Sequence, residues 1–172
     1  MTTLRKPFWL ATVGSLCALL AGASHALTAE QAFQMAGADD AEQRVSAINQ
    51  AVLAPDANSD AGRLAAYLQA LANDEVKIAG GKAFVLSGNT TTDPATGSPA
   101  HMPAGAEDIV NNNYLRGVIE SAQAALVLGD PSSDVAARRK AAEQLAGEPD
   151  AERLPLVEKA LAAEKDDAIK QL

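Results

Sequence analysis

The sequence has one cysteine, Cys17, and it lies in an apolar N-terminal stretch. If that stretch is removed on export, the remaining chain has no cysteine, which excludes disulfides, a thiolate nucleophile and a cysteine metal site. Aromatic residues make up only 3% of the chain. The core is therefore expected to consist of leucine, valine, isoleucine and alanine side chains on closely packed helices.

Positive charge and histidine are also scarce. Fourteen Lys and Arg residues stand against 22 Asp and Glu, for a net charge of −8. This charge argues against non-specific nucleic-acid binding, which needs cations, and disfavours docking on anionic lipid. Outside the N-terminal stretch His101 is the only histidine, and it has no partner spaced for a metal or acid–base role. Without a nucleophile elbow or paired catalytic carboxylates, we expect no cofactor and no enzyme activity.

The N-terminus, residues 1–26, has the pattern of an export signal. Two basic residues precede an apolar run at 8–20, and Ala26 is the predicted last residue removed. Residues 7–27 carry no formal charge, so an uncleaved membrane anchor is the alternative. In both cases the basic flank places residues 27–172 outside the cytoplasm. We expect them on the periplasmic or extracytoplasmic side of a bacterial inner membrane, with no further membrane span.

Two stretches ninety residues apart are similar, with the same residue at six of twelve positions: Asp60-Ala-Gly-Arg-Leu-Ala-Ala-Tyr-Leu-Gln-Ala-Leu71 and Asp150-Ala-Glu-Arg-Leu-Pro-Leu-Val-Glu-Lys-Ala-Leu161. Each follows another short, alanine-rich helical pattern. Such similarity is typical of stacked helix pairs, which bury their apolar faces only against a similar neighbour. The predicted fold is therefore mainly α, a HEAT-like helical repeat (an α-solenoid), a class that usually binds or scaffolds.

The first helical part is predicted over residues 27–73. Capping boxes beginning at Thr28 and Asp39 start two short helices. Asp60 is expected to cap the first copy of the repeat. Apolar residues at the 3,4 spacing of one buried stripe follow it: Leu64, Tyr67, Leu68 and Leu71.

A β-hairpin insertion is predicted over residues 75–100. Short apolar runs flank Gly80 and Gly81, which suit a turn that needs positive φ. Thr90-Thr-Thr92 is a possible third strand. A second turn is expected at Asp93-Pro-Ala-Thr-Gly97, with its glycine in the left-handed region.

The second helical part is predicted over residues 105–172. A long helix is expected at 105–128, and Ser132 or Ser133 is expected to cap the next one. The second repeat copy should become helical at Leu154 or Pro155. In the helix between them, the basic triplet Arg138-Arg-Lys140 is interpreted as a solvated face.

The polar run Asn111-Asn-Asn-Tyr-Leu-Arg116 is the most unusual in the chain, because asparagines are poor helix formers. One hypothesis is a polar face that binds a partner or a small amide-like solute. The other, which we favour, is that the side chains satisfy backbone groups of the neighbouring hairpin. If a binding site exists, the residues predicted to form it are Asn112, Asn113, Tyr114 and Arg116.

Taken together, these segments resemble the N-terminal extracytoplasmic region of the urea ABC transporter permease B subunit family. The likeness covers essentially all of residues 27–172. It is carried by an ordered set of segments after the export segment: Arg44-Val-Ser-Ala-Ile48, Asp60-Ala-Gly-Arg-Leu64, Gly80-Gly-Lys-Ala-Phe-Val85, Asp93-Pro-Ala-Thr-Gly97, the Asn-Asn-x-Leu-Arg run ending at Arg116, Asp130-Pro131, and Asp150 to Leu161.

The resemblance implies a role in urea uptake. Members of that family continue into a multi-span permease domain, and this sequence stops before such a domain, so the transport path is not expected here. The implied role is an accessory domain that contacts the periplasmic urea-binding protein or the permease and ABC transporter subunits. The alternative is a stand-alone periplasmic helical-repeat scaffold or binding protein unrelated to transport.

Overall fold

The structure, a computed structural model, describes residues 27–54, 61–130, 132–147, 151 and 154–172. The predicted export segment and the predicted cap at Asp60 lie outside these residues. The described helices are α1 Ala29–Gly37, α2 Ala41–Leu53, α3 Ala61–Ala72, α4 Asn113–Gly129, α5 Val135–Gly147, α6 Leu154–Ala163 and α7 Asp167–Lys170; the strands are β1 Val76–Ala79, β2 Lys82–Ser87, β3 Thr90–Thr92 and β4 Glu107–Asp108. The expectation of a mainly helical chain is confirmed. No helix within the described ranges is long and apolar enough to cross a bilayer.

Helix α4 is the centre of the packing. It contacts α2, α3, α5 and α6, whereas α1 packs on α2 and on the first two strands. Most of one side of α4 is buried, and its small alanine side chains allow neighbouring helices to approach closely: Leu115, Val118, Ile119, Ala122, Ala124, Ala125, Leu126 and Leu128. A core of aliphatic residues and alanine, as expected from the low aromatic content, surrounds this helix.

The first helical part folds largely as its sequence indicates. The Thr28 Oγ1 accepts from the Gln31 backbone N–H at 3.1 Å, and the Gln31 side chain accepts from the Thr28 N–H at 2.9 Å. This is the predicted capping box. The predicted buried stripe of α3 is confirmed. The cap of α2 is Asp40, one residue later than expected, and its carboxylate accepts from the Gln43 N–H at 2.7 Å.

The insertion is a four-stranded antiparallel sheet in the order β3-β2-β1-β4. Val76 pairs with Val85, and the hairpin turns through Gly80 and Gly81 at φ 56° and 73°. The predicted hairpin and third strand are therefore confirmed. Gly97 has φ 71°, as the second turn requires.

The prediction that a helix begins near residue 105 is wrong. Residues 107–108 form β4, which pairs with β1 opposite Lys77 and Ile78 and covers that edge of the sheet. Helix α4 begins only at Asn113, because Asn112 caps it: its side chain accepts from the Leu115 N–H at 2.8 Å. The predicted helix began too early because Ile109 lies at helical spacing from the apolar residues that follow it.

Two expectations for the second helical part are also wrong. Asp134 caps α5, accepting from the Ala137 N–H at 2.7 Å, instead of Ser132 or Ser133. Arg138 is not part of a solvated face, since its Nε donates to the buried Glu164 carboxylate at 3.0 Å. The start of α6 at Leu154 is confirmed.

Glu164 holds the end of α6 to α5 and α7. Besides Arg138, its carboxylate accepts from the Asp166 N–H at 2.8 Å and the Lys165 N–H at 2.7 Å. These contacts, the Asp166 hydrogen bond first, hold the pKa of Glu164 below its ordinary value although burial opposes them. Because the folded pKa is lower than the unfolded one, the carboxylate stabilises the fold above the unfolded value and ceases to do so as pH falls through the folded value.

We therefore expect Glu164→Gln to lower the free energy of unfolding by about 1.5–3 kcal/mol near pH 7, as for hydrogen bonds to a charged group. The deficit should shrink near pH 3, below the ordinary glutamate pKa of 4.5. Guanidinium unfolding at both pH values measures it. Glu158→Gln, at an exposed position on α6, is the control and should change stability by less than about 0.5 kcal/mol. A deficit that stays the same at both pH values would contradict this account.

Candidate functional site at the start of helix α4

Arg44 is a buried cation that joins three parts of the fold. From α2, its Nε donates to the Met35 carbonyl at 3.0 Å, its Nη1 to the Val110 carbonyl at 3.0 Å and its Nη2 to the Asn111 Oδ1 at 2.6 Å. Burial lowers the pKa of Arg44, although an arginine stays protonated in this setting. The guanidinium therefore ties the end of α1 to the segment that leads into α4.

Asn111 extends this network to the end of α3. It is buried, and its Nδ2 donates to the Leu71 carbonyl at 2.7 Å and to the Asp74 Oδ1 at 3.1 Å. Acceptor and donor of the amide are thus both used. Asn111 was outside the predicted site, and nothing in the sequence shows that it, and not Asn112 or Asn113, is the buried asparagine.

Arg116 closes the network from the first turn of α4. Its Nη2 donates to the Asp74 Oδ2 at 2.6 Å and its Nη1 to the Ala72 carbonyl at 3.1 Å. The hydrogen bond from Arg116, and then that from Asn111, hold the pKa of Asp74 below its ordinary value. Asp74 occupies the left-handed region at φ 57°, so the Arg116 contact fixes a turn that a non-glycine residue seldom adopts.

The four residues of the predicted site divide into two groups. Arg116 binds the α3–β1 turn, and Asn112 caps the helix, so both hold the backbone in place. Asn113 and Tyr114 are exposed at the start of α4, and beside them Val110 is 81% exposed. An amide, a phenol ring and an aliphatic side chain are therefore exposed at the start of α4, and we call these residues the α4 surface (Val110, Asn113 and Tyr114).

A second contact links the helices to the sheet region. Arg63 of α3 donates from Nη1 to the Ala95 carbonyl in the second turn. The Asp93 carboxylate holds this turn by accepting from the Ala95 N–H at 2.7 Å. Segments that are far apart in sequence are thus tied to one another by arginine–carbonyl hydrogen bonds.

Within the described part of the chain, no group of three or more His, Cys, Asp or Glu side chains is placed to hold a metal ion. His101 lies exposed in its loop. The α4 surface offers hydrogen bonds and apolar contact, which suit protein recognition.

Comparison of the chain with protein-family models, with curated proteins and with solved structures finds no match.

The three consecutive asparagines should respond differently to alanine. Asn111→Ala should lower the free energy of unfolding by about 2–4 kcal/mol, because buried donors and acceptors lose their partners. Asn112→Ala should cost about 1 kcal/mol through the lost helix cap. Asn113→Ala should stay within about 0.5 kcal/mol. Guanidinium unfolding of the three variants measures this order, and equal losses would contradict the assigned roles.

Proposed function

We propose that this chain is an extracytoplasmic accessory domain of a urea-type ABC transporter permease, and that it contributes to urea uptake through protein contacts and not through catalysis. One observation supports the proposal most directly. Segments that carry the resemblance touch one another in the fold: Arg44 contacts Asn111, and Arg63 contacts Ala95. The segments that carry the resemblance are thus joined by hydrogen bonds into one structural unit.

The partner-binding site in this proposal is the α4 surface. Asn112 and Arg116 position it, and Asn113 and Tyr114 contact the partner. Tyrosine gives a large contact area with few rotatable bonds, and amides hydrogen-bond adaptably, so both residue types suit a protein interface. The proposed partner is the periplasmic urea-binding protein, with the permease and ABC subunits as the other members of the assembly. No cofactor takes part.

The proposal includes an exported chain, with residues 1–26 as the signal segment and 27–172 as one helical-repeat domain. In this domain the two similar stretches are copies of one HEAT-like helix, found in α3 and α6. Support for this comes from their packing, since both helices contact α4. Strands β1, β2 and β3 are then an insertion between the two helical parts, and β4 lies at the beginning of the second part.

Immobilised periplasmic urea-binding protein should capture the full chain, and the test is to measure the affinity with and without urea. Asn113→Ala and Tyr114→Ala should each weaken capture, the tyrosine variant by about tenfold, as for an interface anchor. The melting temperature of Asn113→Ala should stay close to that of the parent chain, and circular dichroism should show that Tyr114→Ala remains folded. Glu120→Ala, at an exposed position further along α4, is the matched control and should bind normally.

The capture experiment distinguishes a transporter accessory domain from an unrelated periplasmic scaffold. Specific capture that depends on Tyr114 supports the accessory domain, and dependence on urea would show that it recognises the loaded binding protein. Capture that the α4 variants leave unchanged would remove the proposed site. No capture by a folded chain would contradict this partner and favour a periplasmic scaffold unrelated to transport.

A further inference from the structure

The two copies of the repeated stretch bury different, partly overlapping parts of the helix surface. In α3, Leu64 and Leu71 are 5% and 0% exposed. The residues at the same repeat positions in α6 are Leu154 and Leu161, and they are 54% and 51% exposed. Helix α6 buries Leu156 and Ala160, and Ala70, the counterpart of Ala160, is buried in α3 as well. The leucines that the repeat keeps in the core are therefore uncovered in its second copy.

These leucines lie on one continuous side of α6. Leu154 and Leu161 are seven residues apart, which is nearly two full turns, so they project in the same direction. The residues that share this side are also exposed. We call it the α6 face, and it consists of Leu154, Pro155, Glu158, Leu161 and Ala162.

An apolar groove lies next to the α6 face. It is about 160 Å³ in volume and lies between the end of α4 and helices α5, α6 and α7. Leu161 belongs to both the face and the groove, and much of the remaining wall is aliphatic: Leu128, Leu145, Val157, Ile169 and Leu172. A cavity of about 150 Å³ lined in this way holds a benzene ring, so the groove is large enough for one leucine or phenylalanine side chain.

The negative charge of Glu158 argues against a second copy of the chain as the occupant of the α6 face. Glu158 is exposed between the two leucines. If a second copy paired antiparallel here, with Leu154 over Leu161, the two Glu158 carboxylates would meet close to the two-fold axis and repel each other. Self-association is therefore disfavoured.

We propose that the α6 face is a docking site for one amphipathic helix of another protein. That helix carries leucine-sized side chains seven residues apart, one of which fills the groove, and a lysine or arginine between them that faces Glu158. In α3 the equivalent leucines are buried, and α3 itself packs against another helix, α4. We therefore expect the occupant of the α6 face to be a helix, as α4 is for α3. Docking at this face does not require a role in urea uptake.

A fluorescent, alanine-based helical peptide of roughly 18 residues, long enough to be helical alone, is the probe. It carries two leucines seven residues apart with a lysine midway, and a second peptide has glutamate in place of that lysine. Anisotropy with the full chain should show that the lysine peptide binds more tightly than the glutamate peptide. Leu161→Ser should weaken binding about tenfold, since a half-exposed leucine is lost from the contact.

Charge reversal provides the decisive comparison. Glu158→Lys should weaken the lysine peptide a few-fold and strengthen the glutamate peptide by a similar factor, the range for one exposed ion pair. Because Glu158 is exposed, the variant should keep its fold, which circular dichroism checks. Val135→Ser, at a half-exposed valine that starts α5, is the matched control and should leave binding unchanged.

Three results would overturn the proposal. The first is that the lysine peptide does not bind. The second is that Val135→Ser and Leu161→Ser weaken peptide binding equally. The third is that Glu158→Lys leaves the ratio of the affinities for the lysine and glutamate peptides unchanged. Light scattering on the free chain tests the other occupant, because a dimer that Leu161→Ser dissolves would assign the face to a second copy. None of these results depends on the urea-binding protein, so failure here and failure of the proposed function remain distinguishable.

Discussion

The hydrogen bonds of Arg44 are the constraint on which the arrangement around α4 depends. A buried guanidinium loses its hydration, and the fold has to supply acceptors in return. Here the acceptors are the Met35 carbonyl at the end of α1, the Val110 carbonyl before α4 and the Asn111 side chain. Asn111 in turn donates hydrogen bonds to Leu71 and Asp74. Three stretches distant in sequence are thereby fixed relative to one another, and the start of α4 takes its position from them.

This constraint separates residues that hold the start of α4 in place from residues that expose side chains there. Asn111, Asn112 and Arg116 hydrogen-bond backbone groups of their own chain, and the side chains of Asn113 and Tyr114 are exposed next to them. The α6 face lies on a different helix that packs on α2 and α4. Two surfaces of different character, one polar and aromatic and one aliphatic, are thus held on helices that share one core.

The sequence predicted those elements that local chemistry determines. The Thr28 capping box, the stripe of α3 and the Gly80–Gly81 hairpin depend on near neighbours, and all are present. The start of α4 was missed because the helical spacing of Ile109 concealed the local cap at Asn112. The role of Asn111 was missed because it depends on Arg44, 67 positions away. The Arg138–Glu164 pair was missed for the same reason. Periodicity alone does not tell which residue pairs across such distances.

A double-mutant cycle between Arg44 and Asn111 tests the central claim most directly. Arg44→Met and Asn111→Leu, alone and together, would be compared by guanidinium unfolding. Each single variant leaves a buried partner unsatisfied, whereas the double variant removes both, so its loss should fall short of the sum by about 1.5–3 kcal/mol. Additive losses would mean that the two side chains stabilise the fold independently, and would contradict the account.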